Sequence, residues 1–259
     1  MQITVNNDFQ HGGQVFTQGQ INSFLQDEQT AINILDSTFT SNVSVVFDVG
    51  FGSYQGQTLQ NQLISLADVN TNAAFLLTYS QLRTDLLTFG QPGFFNAANL
   101  PAGNSINGVS NFWVSSSVGA LFGLFTPQTD GFVGIGSQFK PGPERVSAFL
   151  HEMGHAMGRV PENIFFQGNT YFSALDLWRF TDANGTRLFD GINPDHTTSW
   201  FSLDGGPHFI AFWGENSDSA DFLNGQPFDN DPFNEFVGNL GHLTDADILI
   251  TEALGLADS

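Results

Sequence analysis

The chain has 259 residues, with 26 Asp and Glu against 6 Lys and Arg, and its formal net charge is −20. A negative field of this size repels phosphate backbones and anionic lipid surfaces, so nucleic acid and membranes are excluded as expected partners. The sequence contains no cysteine, which excludes disulfides, thiol catalysis and cysteine-ligated metals. Any transition metal must therefore be bound by histidine and carboxylate side chains.

The first 160 residues alternate between segments with helical and strand-like spacing of apolar residues. The predicted helices are 19–38, 59–68, 79–89 and 118–124, and the predicted strands are 43–49 and 131–135. A further helix is predicted from Glu144 to about Met157, because Pro143 favours a helix start and Gly158 a helix end. These elements indicate an α+β fold with a mixed β-sheet.

The rest of the chain is rich in Gly, Asn and Asp and has few helical patterns before its end. A closing helix is predicted over 243–254, where Thr244 is followed three residues later by Asp247, a carboxylate variant of the capping box. We therefore divide the chain into an N-terminal α/β subdomain, 1–160, and an irregular C-terminal subdomain, 161–259. Both are expected to belong to one catalytic unit.

The predicted helix 144–157 contains the pattern His-Glu-x-x-His, formed by His151, Glu152 and His155. Two histidines one turn apart lie on the same helix face, so two imidazoles can bind one ion. Glu152 would lie beside this ion and act as the general base towards a zinc-bound water, whose pKa is lowered to about 7. The alternative is a pair of structural histidines, but two His and a Glu facing a core are costly without a metal or hydrogen-bond partners.

The third metal ligand is left open by the sequence. Asp176 is the preferred candidate, because the apolar neighbours in 174–180 suit a carboxylate held inward against a cation. A buried carboxylate paired with Arg179, or capping a helix, is the alternative interpretation. The other candidates are Glu162, His196, His208 and His242.

Calcium is a second candidate cofactor, because clustered Asp and Asn supply the oxygen ligands that it prefers. The sequence offers the loop 182–185, and a group of four later aspartates, Asp218, Asp221, Asp229 and Asp231. Solvated acidic loops are the favoured alternative for both.

The chain resembles a family of secreted bacterial zinc metallopeptidases of the zincin type, many of which carry C-terminal surface-sorting signals. The resemblance lies in 34–43, 112–116, 130–134, 151–159, 174–180, 200–206 and 245–255. It implies a metzincin-like catalytic domain, with His151 as a zinc ligand, Glu152 as the base and Asp176 in a typical segment. Some relatives have Glu in place of His155, and 243–255 is similar to the closing helix of matrixin-like domains. Pro161 replaces the usual third metzincin ligand, and no Met-turn can be assigned.

These observations predict a secreted, zinc-dependent endopeptidase that hydrolyses protein or peptide substrates. Residues 1–5 lack the basic and apolar segments of a signal peptide, so we expect a chain without a leader or one whose leader was removed. A non-enzymatic surface or matrix protein with a zincin fold and a structural metal is the alternative, and a hydrolase acting on a non-peptide bond is a third possibility. Peptide specificity and oligomeric state are not encoded in these patterns.

Overall fold

The computed structural model describes residues 1–10, 14–90, 95, 99–124, 128–160, 164–189, 198–214, 218–224 and 229–257, and its fold is α+β. The helices are α1 (Gln18–Thr38), α2 (Tyr79–Phe89), α3 (Ser116–Leu121), α4 (Pro143–Met157) and α5 (Asp245–Ala253). The strands are β1 (Gln2–Asp8), β2 (Ser44–Phe51), β3 (Ser53–Tyr54), β4 (Gln57–Thr58), β5 (Ser65–Val69), β6 (Phe75–Thr78), β7 (Asn111–Val114), β8 (Gly131–Ile135), β9 (Ile164–Phe166), β10 (Asn169–Ser173), β11 (Arg179–Phe180), β12 (Trp200–Phe201) and β13 (Ala211–Phe212). None of the helices in these ranges is long and apolar enough to cross a membrane.

A mixed four-stranded sheet carries the N-terminal part of the fold, in the order β1-β2-β8-β5. β1, β2 and β8 are parallel, whereas β5 is antiparallel to β8 and forms one edge. Helices α1 and α4 pack with this sheet in one apolar cluster. Phe24 of α1 lies 4.4 Å from Phe51 of β2 and 5.0 Å from Phe149 of α4, measured between ring centroids. Aromatic side chains therefore fix how α4 sits against the sheet.

A second apolar cluster joins the two predicted subdomains. It includes Leu82 of α2, Ile250 of α5, and the buried tryptophans Trp178 and Trp213. The sheet β6-β7-β10-β9 also crosses the predicted boundary, because β7 pairs with β10. A smaller sheet, β11-β12-β13, completes the C-terminal half. The division into 1–160 and 161–259 stays a prediction, and packing and strand pairing connect its two parts.

The predicted helix 59–68 is wrong throughout: residues 59–64 form bends and turns, and the rest belongs to β5. Exposure alternates along this strand, and Leu66 is 41% exposed. Leu63 and Ile64, just before it, are also exposed. The apolar residues that suggested a helix face therefore do not enter the core, since pairing with β8 determines the local structure.

Buried Glu28 of α1 is expected to make folding stability depend on pH. Its side chain accepts a hydrogen bond of 2.9 Å from Asn7, yet burial raises its pKa from 4.5 to about 7. The folded protein therefore holds this proton more tightly than the unfolded chain, and stability falls as the pH rises from about 4.5 to 7. We expect Glu28→Gln to stabilise the protein by about 1–3 kcal/mol at pH 8 and by almost nothing at pH 4. Urea unfolding of the wild type and the variant at both pH values measures this difference. An equal change in the free energy of unfolding at pH 8 and pH 4 would contradict the prediction.

Candidate metal centre

Helix α4 is almost fully buried and ends abruptly after the two histidines. Every residue from Arg145 to Met157 is buried, so its polar side chains need partners inside the protein. The helix ends at Gly158, whose φ of +123° is unfavourable for other residues. A Cβ there would also lie 2.5 Å from Oγ of Ser115. The chain therefore leaves the helix immediately after the predicted metal-binding pattern.

The rings of His151 and His155 converge as the spacing predicts. Their Nε2 atoms are 3.0 Å apart, and the ring centroids are 4.5 Å apart at an interplanar angle of 75°. Each residue is 6% exposed, so bulk water does not separate the rings. Each ring thus directs its Nε2 atom into the same small space.

Backbone carbonyls set the orientation and tautomer of both rings. Nδ1 of His151 donates to the carbonyl oxygen of Pro232 at 2.8 Å, and Nδ1 of His155 donates to that of Arg159 at 2.5 Å. A carbonyl oxygen can only accept, so Nδ1 carries the hydrogen in each ring. A neutral ring then has its lone pair on Nε2, the atom that faces the other ring. A metal-binding histidine usually has this arrangement.

Asp221 supplies the third converging atom, in place of the expected Asp176. Its Oδ1 lies 3.1 Å from Nε2 of His155 and 3.6 Å from Nε2 of His151, and the residue is 2% exposed. Tetrahedral zinc with bonds of about 2.0–2.1 Å places its ligand atoms about 3.3–3.4 Å apart. The three observed separations, 3.0, 3.1 and 3.6 Å, bracket that value. The described residues thus form a His-His-Asp group that could hold a metal ion.

Without a metal ion, a second proton on the ring of His155 balances the negative charge of Asp221. Burial lowers the pKa of His155, but the carboxylates of Asp221 and Asp218 outweigh it and raise the pKa to about 10. Burial and the charge on His155 lower the pKa of His151 well below 6.5. Burial raises the pKa of Asp221 to about 6, against the effect of His155. Among the described residues, the donor available to Oδ1 of Asp221 is Nε2 of His155, once this nitrogen carries a proton. A divalent cation would satisfy that oxygen and both nitrogens at once.

Glu152 lies beside the His-His-Asp group and is not a member of it. Its Oε1 is 3.9 Å from Nε2 of His151, and the residue is 4% exposed. Burial raises the pKa of this carboxyl group to about 7, while the charge of His155 and a hydrogen bond from Ser65 act in the opposite direction. A carboxyl group with such a pKa can both accept and release a proton at neutral pH.

A cleft of about 540 Å³ opens at this group. His155 and Asp218 line one part of it, strand β5 lines another through Ala67–Val69, and Ile164 and Phe165 of β9 also contribute. Phe165 is 71% exposed, so its ring is available to an apolar side chain of a ligand. The cleft thus reaches the His-His-Asp group through His155 and is also bordered by an edge strand and an apolar wall.

Asp176 has the structural role that was the alternative to metal binding. It is fully buried, and its Oδ2 accepts hydrogen bonds from the backbone N–H of Ser173 at 2.7 Å and from its hydroxyl at 3.1 Å. Its Oδ1 lies 3.5 Å from Nε of Arg179. Asp176 therefore caps the 3₁₀ helix Ala174–Trp178 and pairs with an arginine. It is not in the His-His-Asp group found among the described residues.

The other candidate ligands do not join the group where they can be located. His208 is exposed and hydrogen-bonded to Asp204, and exposed His242 donates to the carbonyl oxygen of Leu240 at 3.1 Å. Glu162 and His196 lie outside the described residues.

The aspartates proposed for calcium have separate environments. Asp182 accepts hydrogen bonds from Asn184 and Thr186 within its own exposed loop. Asp231 is buried and accepts from the backbone N–H of Phe233 at 2.7 Å and from Thr244 at 2.8 Å. Among the described residues, Asp221 is grouped with the two histidines and not with the neighbouring aspartates. A calcium site stays a prediction.

The sequence indicates Asp221 only as a candidate calcium ligand, and not as a ligand of the metal bound by the two histidines. A local signal was present, since Asp221 is followed directly by Phe222 and Leu223. An acidic residue next to apolar residues is the same feature that favoured Asp176.

Comparisons of the chain with models of known protein families, with curated proteins and with solved structures found no match.

Proposed function

We propose that this chain is a zinc-dependent endopeptidase of the zincin type. The observation that carries the proposal is the convergence of three buried ligand atoms, 3.0–3.6 Å apart, with a buried glutamate beside them. Two imidazoles and one carboxylate are a ligand set that zinc uses in catalytic sites, with a water molecule in the fourth position. The resemblance to secreted zincins supports the same class of enzyme.

The proposed chemistry assigns a separate task to each side chain. His151, His155 and Asp221 would hold the metal, and zinc bound there would act as a Lewis acid and lower the pKa of a water molecule to about 7. The carboxylate of Glu152 would accept a proton from the attacking water and pass it to the leaving amine. Its raised pKa of about 7 suits both transfers, because a general acid–base group works best near the operating pH.

The edge strand β5 is the proposed binding surface for an extended peptide. The predicted strand 131–135 does not offer such a surface, because it is β8 and pairs with β2 on one side and β5 on the other. Among the described strands, β5 lies at the edge of this sheet, and it borders the cleft at Ala67–Val69. Its first residue, Ser65, donates a hydrogen bond to Glu152. Backbone pairing with β5 would therefore hold a substrate next to the base.

A structural metal in a non-enzymatic surface protein is the competing function. Structural zinc sites are closed by four protein ligands, whereas catalytic sites keep one position for water. Within the described residues the group has three members, and it borders a cleft through His155. Both observations favour the enzyme. Secretion is proposed from the resemblance alone.

The proposal is tested by measuring metal content together with hydrolysis of casein and of a peptide library. We expect about one zinc per chain, loss of hydrolysis with a chelator, and recovery when zinc is added back. A protein that holds one zinc and cleaves no peptide would support the structural alternative. A protein that binds no zinc would exclude both.

A further inference from the structure

Arg159 lies directly after the end of helix α4, and it contacts the surroundings of His151, His155 and Asp221. It is 2% exposed. A buried guanidinium is costly unless its donors and its charge have partners. The backbone and the side chain of Arg159 contact three parts of the chain, and each part positions one of the three candidate ligands.

The first connection is made by the backbone. The carbonyl oxygen of Arg159 accepts the hydrogen bond from Nδ1 of His155 at 2.5 Å. The backbone N–H of the same residue donates to the carbonyl oxygen of Gly154 at 3.1 Å, which holds the turn at the helix end. The position of Arg159 therefore determines where that carbonyl points.

The second connection leads to the loop of Asp221. Nε of Arg159 donates to the carbonyl oxygen of Ala220 at 2.8 Å. Ala220 directly precedes Asp221, so this bond holds the backbone that carries the third ligand. Asp221 lies on a loop between short bridges, where no long helix or strand fixes it.

The third connection leads to His151. The guanidinium carbon lies 3.9 Å from the ring centroid of Phe233 and 4.5 Å from that of Phe222. The ring of Phe233 stacks on the imidazole of His151, with centroids 5.3 Å apart and an interplanar angle of 22°. Gly154 makes room for this ring, because a Cβ there would lie 2.4 Å from Phe233. Phe233 also follows Pro232, whose carbonyl accepts from His151.

A carboxylate on the closing helix anchors the guanidinium itself. Nη1 of Arg159 lies 3.3 Å from Oδ1 of Asp247 in α5, and both side chains are buried. Oδ2 of Asp247 accepts from Thr244 at the start of that helix. Helix α5 thus holds the guanidinium of Arg159 in place through Asp247.

We propose that Arg159 is the positioning residue for the whole metal centre, fixing His155, Asp221 and His151 through one side chain and one carbonyl. This inference rests on the proposed function, since it concerns the same metal. A lysine at this position keeps the charge towards Asp247 but lacks the Nε–H and the planar group that packs on Phe233. Changes in groups that orient metal ligands typically weaken metal binding 10- to 100-fold.

The test compares Arg159→Lys with Arg145→Lys. Arg145 is a matched control at the other end of α4, because it is also 2% exposed, pairs with a buried carboxylate at 2.6 Å and lies over two phenylalanine rings. We expect both variants to lower the thermal midpoint. Only Arg159→Lys should weaken zinc binding, by about 10- to 100-fold in a competition with a chromophoric chelator. It should also shift the visible absorption of the cobalt-substituted protein.

Two results would overturn the inference while leaving the proposed function intact. One is a wild-type zinc affinity and cobalt spectrum in Arg159→Lys, and the other is an equal loss of affinity in Arg145→Lys. A wild-type protein that binds neither zinc nor cobalt would overturn both proposals. If Arg159→Lys does not fold, Phe233→Leu tests the same connection. It should weaken zinc binding, and an unchanged zinc affinity would count against the inference.

Discussion

Glu152→Gln is expected to lower kcat/KM for peptide hydrolysis by about 10²- to 10⁴-fold, the usual contribution of a general acid–base group. Glutamine keeps the size of the side chain and can still bond to Ser65, but it cannot accept the proton of a zinc-bound water. Because Glu152 lies outside the His-His-Asp group, zinc content should stay at the wild-type value. Initial rates and metal content are measured on the same preparations.

Glu144→Gln is the matched control for this change. Glu144 lies in the first turn of the same helix, pairs with Lys140 at 3.4 Å, and has a side chain that is 32% exposed. Its replacement should leave both hydrolysis and zinc content close to wild type. Hydrolysis that survives in Glu152→Gln would show that another group is the base.

Asp221→Asn is expected to have the second large effect, on metal binding. Structural zinc sites with four ligands bind with apparent energies of about 10–16 kcal/mol, or roughly 2.5–4 kcal/mol per ligand, so loss of an anionic ligand should weaken zinc binding about 100-fold or more. Asparagine has nearly the same volume, and the change therefore removes the charge and little of the packing. Chelator competition gives the affinity, and hydrolysis at limiting zinc should fall with it.

The control for Asp221→Asn is the same substitution at Asp176, which is also buried. Asp176→Asn should lower stability, because a cap and a charge partner of Arg179 are altered, but zinc affinity should stay near wild type. The opposite pattern, with zinc affinity lost in Asp176→Asn and kept in Asp221→Asn, would restore Asp176 as the third ligand.

Local sequence patterns predicted the longer helices but few of the strands. The predicted helices at 19–38 and 79–89, and the helix from Glu144 to about Met157, match α1, α2 and α4, and the predicted strand 131–135 matches β8. Apolar spacing and capping residues determine these elements, and both can be read within one segment. Strand β5 was missed because its conformation depends on pairing with β8, a partner more than 60 residues away in the chain.

The candidate site also has one part that the sequence predicts and one part that it does not. His151 and His155 lie four residues apart on one helix, so their spacing alone predicts that their rings converge. Asp221 reaches them from a loop 66 residues after His155, and its position depends on Arg159, Phe233 and α5. No local pattern encodes such contacts. Asp176 had an equally suitable neighbourhood in the sequence, but its carboxylate is used by Ser173 and Arg179.

Anomalous diffraction from crystals of the zinc-loaded protein, recorded on both sides of the zinc absorption edge, tests the central claim most directly. The account predicts one strong peak, about 2.0–2.2 Å from Nε2 of His151, Nε2 of His155 and Oδ1 of Asp221, with one further position facing the cleft. A peak bound elsewhere, or the absence of any peak between the two histidines, would contradict it.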